Sequence, residues 1–373
     1  MAVTIRSLHD AGTVAWDAFV LAHPGGTFFH RAAWATVIEQ AFGHRTHYAF
    51  AERDGAITGV LPLARVKTLL FGNTLISVPF CVYGGPLAAD PESAAALSAH
   101  AAGLLESTGA SAVEFRFRDP GAAMPRTGEL TLHRNGLDED RIGINGAVGG
   151  DGGGWQERPD LYVTFRKRIE ADNDTNMKAI PRKQRAMVRK GIQNNLRSVA
   201  NRDAGLLHGI YAESVRNLGT PVFSRRYFTI LADVFRDDCD VVTVLDGDTA
   251  IASVMNFYFR DEVLPYYGGG TAVARQRAGN DFMYWEVMRR AADRGCRLFD
   301  FGRSKIGTGA HDFKKNWGFT PENLRYRFRL APGASFPDHN PLNPKYRLFI
   351  AGWKQLPLAV ANAIGPSIVR GLG

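Results

Sequence analysis

The sequence predicts an α/β (α+β) protein built from two tandem copies of one unit, each a mixed, mostly antiparallel sheet with flanking helices. Three observations lead there. Two stretches with an apolar period of two are folded about Asp-Gly turns, at Arg53-Asp54-Gly55 and at Asp246-Gly247-Asp248. Each is followed by a strand ending in Tyr-Gly-Gly, at 83–85 and 267–269, and then by a helix and a strand. The spacing from tyrosine to the next strand centre repeats as well, 30 positions from Tyr83 to Val113 and 31 from Tyr267 to Leu298. The repeat is far longer than a solenoid's, so it marks a duplicated domain.

In chain order, residues 13–42 read as helical pieces around the turn His23-Pro24-Gly25-Gly26. Strands follow at Tyr48–Glu52, Ile57–Val66 and Leu75–Val82, then a helix over Pro91–Ser107 and strands at Ala112–Arg118 and Glu129–Arg134. The glycine-rich run 143–154 reads as a linker, since no Lys-Ser/Thr follows it as a phosphate loop requires. The first domain is therefore expected over 1–150, the second over 155–335, and a tail helix over 336–373. In the second domain, strands are expected at Val241–Leu245, Ile251–Arg260 and Glu262–Tyr267. A helix whose first turn Asp281 can cap carries Phe282, Trp285 and Met288 on one face.

At 373 residues and a net charge of +8, the chain is large enough for two domains and basic enough to suggest an anionic partner. Three scattered cysteines form no zinc or disulfide pattern. His30 and His44 lack companions at metal spacing and read as solvent-facing or core residues, so no metal is expected. The first residues hold no apolar signal core and no run reaches the length of a span, so a cytoplasmic protein is expected.

Three stretches carry candidate chemistry. Residues 161–200 hold ten Lys or Arg against three Asp or Glu, and Pro181 opens a helix with Arg182, Arg185 and Arg189 on one face. This is either a solvated face or a contact for a phosphorylated acceptor or donor tRNA. After the strand Arg297–Phe301 come Gly302, Arg303, Ser304, Lys305, Gly307 and Gly309, then Lys314 and Lys315 on a short helix. Glycines and cations at a strand end fit a site for an anion or a reacting carbonyl, or else a tight turn with solvated lysines. The apolar tail is broken by Lys354 and Pro357, and either packs across both domains or touches a membrane surface, placing the protein at the inner face of the membrane.

The order of elements, with YGG at 83–85 and 267–269, NDFMYWEVMRRA at 280–291, FDFGRSK at 299–305 and FKKNWGF at 313–319, resembles the FemAB family. The likeness extends to its members associated with exosortase/PEP-CTERM systems and covers nearly the whole chain. It implies two GNAT-like acyltransferase domains and transfer of an acyl or aminoacyl group to an amine of a cell-envelope precursor, peptidoglycan or exopolysaccharide. It also implies aminoacyl-tRNA as donor. Phe313-Lys314-Lys315-Asn316-Trp317 matches the motif that supplies a lysine at the transfer centre, which gives that role to Lys314, with Lys305 assisting. Asp300 is either a base or a partner for backbone amides. Tyr83, Tyr267, Arg303 and Trp317 become candidates for substrate binding, and Arg277 joins Arg182, Arg185 and Arg189 for the donor. Acetyl-CoA-dependent members of the GNAT fold carry Q/R-x-x-G-x-G/A. Here the stretch is Gln276 to Asp281, and its final carboxylate would repel a pyrophosphate, so acetyl-CoA is the less favoured donor. Two other readings stand: a non-catalytic binding protein of an envelope-polymer system, or an acetyl-CoA-dependent N-acetyltransferase.

Overall fold

The computed structural model describes residues 2–68, 71–118, 154–158, 161–336 and 344–373. The strand expected at 129–134 and the glycine run up to 153 lie outside the described residues. The first copy opens with β1 (Thr4–Ser7), α1 (Leu8–Ala22) and α2 (Ala33–Phe42). It continues through β2 (Arg45–Arg53), β3 (Ala56–Thr68), β4 (Gly72–Ser77) and the short β5 (Leu87–Ala88) to α3 (Pro91–Thr108) and β6 (Ala112–Arg118). Asp54 and Gly55, with φ of 55° and 80°, form the tight turn between β2 and β3. Helix α3 starts where the Asp90 carboxylate accepts from the Ser93 amide at 2.9 Å and stops at Gly109, whose φ is 61°.

The strand β7 (Trp155–Arg158) leads to the second copy: β8 (Val163–Arg168), α4 (Asn173–Ala179), α5 (Arg182–Gln193), β9 (Arg197–Asn201), α6 (Ala204–Leu218) and α7 (Arg225–Phe235). Then come β10 (Cys239–Asp246), β11 (Thr249–Phe259), β12 (Glu262–Gly270), α8 (Ala272–Arg277), α9 (Gly279–Asp293), β13 (Leu298–Asp300), α10 (Gly309–Asn316) and β14 (Pro321–Leu330). The chain closes with α11 (Pro344–Gln355) and α12 (Leu358–Val369).

The duplication is topological. β2-β3-β4 is an antiparallel meander whose last strand pairs parallel with β6 across helix α3; β10-β11-β12 repeats it, with β12 parallel to β13 across α9. Each meander is preceded by a strand and two helices, β1-α1-α2 and β9-α6-α7. Among the described residues all strands form one sheet, in the order β1-β2-β3-β4-β6-β14-β8-β13-β12-β11-β10-β9, with β5 and β7 off this path. β14 joins the copies: it pairs antiparallel with β6 on one side, and with β8 and β7 on the other.

The largest core crosses the junction as well. Phe28 packs between Phe235 and Phe257 of the second copy, each ring centroid at 4.6 Å. Arg260 donates to the carbonyls of Val20, Leu21 and His23, which satisfies the end of α1 from the other copy. A second core, with Phe165, Val188, Val254, Phe299 and Trp317, lies under α5 and α9; a third lies under α3.

Three sequence expectations change. The apolar run 75–82 is a strand only to Ser77; beyond it Val78 and Phe80 take left-handed backbone, φ 50° and 70°, and the chain turns into a loop. Asp281 is not the cap of its helix: Ala278 is, and Asp281 lies buried in the first turn under α5. The tail is two helices, α11 and α12, both packed on α6, and it reaches the first copy where the Arg370 carbonyl accepts from His44 Nε2 at 2.8 Å.

Candidate functional site

Parallel pairing within the second copy is brief. β12 and β13 pair only at Glu262–Leu298 and Val263–Phe299, then diverge, because Ser304 turns aside to bridge Val163 of β8. The divergence opens a cavity of about 630 Å³. Its walls come from both copies and from the tail: Phe80, Val82, Glu114 and Arg116 from the first; Tyr162, Tyr211, Phe223, Tyr266, Tyr267 and the loop Phe301–Gly302–Arg303 from the second; Val369 and Leu372 from the end of α12.

In the first copy the same divergence is filled. β4 and β6 pair over Thr74–Ala112 to Ile76–Glu114, and the loop after β4 folds back so that the Gly84 and Gly85 amides both donate to the Arg116 carbonyl, at 3.0 and 2.9 Å. His30 holds that loop from below. Its Nε2 donates to the Gly85 carbonyl at 2.9 Å, and burial pushes the imidazole down to about pH 4 against the pull of that bond. The neutral ring is core, as is His44.

Lys314 projects from α10, whose first turn is capped by the Thr308 hydroxyl. Its Nζ donates to the carbonyls of Gly302 and Arg303, both at 3.0 Å, and lines the cavity. Burial lowers its pKa from the usual lysine range to about 7; the nearby Asp300 charge opposes the shift and Arg303 adds to it. A neutral amine has two N–H donors, both used by these carbonyls, and one lone pair left over. Arg303 donates to the Tyr326 hydroxyl at 2.8 Å and lies over the Tyr162 ring at 4.9 Å. Arg116 is held by Glu114 at 2.7 Å, by the Cys81 carbonyl at 2.8 Å and by the Gly373 carbonyl at 3.1 Å. With Arg158 and Lys305 also in the wall, and Glu114 the only acidic side chain among the lining residues, the cavity favours anionic groups.

Of the residues expected from sequence, Lys314, Lys305, Arg303 and Tyr267 meet in this cavity. Asp300 lies behind it, fully buried, with one carboxylate oxygen accepting from the Gly302 amide at 2.7 Å and the other from the Tyr83 hydroxyl at 2.9 Å. Arg166 Nε stands 3.3 Å from the same carboxylate and also pairs with Glu262, which burial raises above the usual carboxylate range while Arg166 opposes it. Tyr83 also bonds Thr164, at 2.6 Å, so it ties the two copies together. Trp317 is buried, its indole donating to Asp281 at 3.0 Å. Arg182 and Arg189 stand exposed on α5, Arg185 donates to the Lys178 carbonyl, and Arg277 pairs with Asp246 at 2.8 Å; none of the four lines the cavity. The wall residues Glu114, Arg116, Tyr162, Tyr211 and Tyr326 were not anticipated. Glu114 and Arg116 alternate on β6, while Tyr211 lies on α6, Tyr326 on β14 and Tyr162 just before β8, so no local motif gathers them.

At the start of α9, Asp281 accepts from Gln184 of α5 at 2.8 Å and from Trp317, and burial holds its carboxyl above the ordinary range in spite of both bonds. Gly191 of α5 rests against Phe282, where an added Cβ would stand 2.7 Å from the Phe282 Cβ, and Asn194 donates to the Arg277 carbonyl at 2.9 Å. The helix N-terminus is therefore covered by protein.

Residues 178–315 match the family model described as an acetyltransferase (GNAT) domain. No curated protein sequence matches the chain. Among solved structures, FemX is similar over 94% of this chain and 100% of its own, at 16% identity and a TM-score of 0.62. The C-terminal domain of a putative lysylphosphatidylglycerol synthetase from Agrobacterium fabrum is similar over 86% and 93%, at 11% identity and 0.52. A tandem GNAT protein from the clavulanic acid biosynthesis pathway is similar over 90% and 99%, at 14% identity and 0.50. The chain thus has a tandem GNAT-like fold, and its second copy carries the GNAT domain of an acyltransferase.

Proposed function

We propose that the protein transfers an aminoacyl group from a charged tRNA, or a similar activated ester, to an amine of an anionic cell-envelope precursor. The observation that carries this reading is the cationic cavity with a lysine, Lys314, whose ammonium is destabilised by burial. The likeness to FemX and to the putative lysylphosphatidylglycerol synthetase supports a donor and an acceptor of this class. The buried start of α9 supports a donor other than acetyl-CoA, because the Asp281 carboxylate, held by Gln184 and Trp317, stands in its first turn where a pyrophosphate would have to approach.

In the reaction the acceptor amine attacks the ester carbonyl. Neutral Lys314 takes the proton that the attacking nitrogen sheds through its free lone pair. The resulting ammonium then faces the oxyanion and stabilises it. Collapse breaks the C–O bond, and the proton passes from Lys314 to the leaving hydroxyl. Arg303 and Arg116, fixed by Tyr326 and Glu114, orient the anionic part of the substrate.

Single-turnover transfer from bulk aminoacyl-tRNA to amine-bearing envelope precursors, followed across pH, tests the reading. A base of pKa about 7 predicts a rate that rises through neutrality and then levels off. Lys314→Ala removes transfer while far-UV dichroism and melting stay near the parent's. Activity falling as pH rises through 7 would instead assign Lys314 a purely cationic role. Thermal protection by acetyl-CoA, in place of charged tRNA, would overturn the donor.

A further inference from the structure

We propose that the C-terminal helices α11 and α12 dock on an anionic lipid bilayer. Both pack inward on α6: Gly365 of α12 lies against Val222, and Ile350 of α11 against Gly219. Along α12 the inner edge is Ala361, Gly365 and Val369, one residue per turn, all buried. The outward side is largely apolar, with Ser367 its one exposed polar side chain. Val360 and Ile364, four residues apart, are each 43% exposed, and Ala359 and Ala363 beside them are exposed as well. No charged residue occurs from 355 to 369. A helix with no charge and only Asn362 and Ser367 as polar side chains belongs inside a protein or against hydrocarbon, yet Ala359, Val360, Ala363 and Ile364 all face outward.

On α11, Leu348 is 85% and Phe349 44% exposed, and Leu218, at the end of the shared helix α6, is 68% exposed. Single exposed apolar residues are ordinary, but five on α6 and the two helices packed against it are not. Charge selects the occupant. From 339 to 373 the sequence holds four basic residues and no Asp or Glu, and Lys354 and Arg370 are exposed at the ends of the two helices. Apolar faces edged by cations match an interface rich in anionic headgroups, where a helix lies in the plane of the surface. Among the described residues no helix is long and apolar enough to cross a membrane, which fits docking and not insertion. Val369 and Leu372, at the end of the same segment, line the cavity, so a docked tail would bring the cavity beside the bilayer.

The test uses the full chain with sedimented vesicles of phosphatidylcholine alone and of phosphatidylcholine mixed with phosphatidylglycerol. Binding to the mixed vesicles is expected to exceed binding to the neutral ones by on the order of tenfold, and to weaken with salt. Leu348→Glu/Phe349→Glu and Val360→Glu/Ile364→Glu should each remove it. Val14→Glu, at an 84% exposed position on α1, should leave it unchanged. Melting curves show whether each variant is folded. Failure to pellet with either vesicle, or equal binding to both, overturns the proposal. So does a dimer in solution that the α11 variant dissolves, because a second copy would then own this face. Since binding is read without turnover, a failure here is separate from a failure of the transfer assay.

Discussion

Lys314 shows what a sequence motif can and cannot carry. Phe313-Lys314-Lys315-Asn316-Trp317 locates the residue, but its proton affinity is set by the fold around it: burial first, then the charges of Asp300 and Arg303, with Phe165 5.6 Å from the Nζ. Because the folded pKa lies below the unfolded one, the penalty of burying the ammonium is full below about pH 7 and fades as pH rises toward the ordinary lysine value near 10.4. Lys314→Met should therefore gain more stability over the parent at pH 6 than at pH 9, as chemical denaturation at the two pH values would show. Asp300 was legible only as a residue with two possible roles. The structure gives it the Gly302 amide, whose own carbonyl Lys314 grips, so Asp300 positions the loop on which Lys314 rests. Asp300→Ala leaves Arg166 with Glu262 alone in a buried site and should cost about 3–5 kcal/mol in denaturant unfolding.

At the scale of elements, what was legible was local. Hairpins centred on Asp-Gly, the helix α3 between Asp90 and Gly109, and the amphipathic α9 follow from neighbours in sequence. What was not legible depended on remote partners. The apolar run after Ser77 has strand composition, yet it turns because Val78 donates to the Pro62 carbonyl and Gly84 and Gly85 to that of Arg116. Nor does the sequence around Asp281 say that Gln184 and Trp317 will cover it. The filled cleft of the first copy depends on Gly85, where an added Cβ would stand 2.5 Å from the Phe117 ring. Gly85→Ala should lower stability by about 1–3 kcal/mol, measured by the midpoint of urea unfolding, through displacement of that ring or of the loop.

For the whole molecule, the repeat read from Tyr-Gly-Gly and Asp-Gly spacing corresponds to duplicated topology, whereas the joining of the copies was hidden. No local pattern tells that Pro321–Leu330 will pair with β8 at its start and with β6 of the first copy along the rest of its length. With that strand shared, with Phe28 set among Phe235 and Phe257, and with Tyr83 bonded to Asp300, the copies hold each other's cores. Scanning calorimetry should show one transition, not two, and the Asp300→Ala variant should shift it as a unit.

The position of β14 also bears on how the protein is made. A chain emerging from the ribosome completes β1 to β6 long before residue 330 appears, so β6 waits with an unpaired edge while the second copy is synthesised. Such an edge can pair with any passing strand. Slowing synthesis between the sixth strand and the last should therefore raise the aggregated fraction of newly made protein, as a pelleting assay on translation products would show.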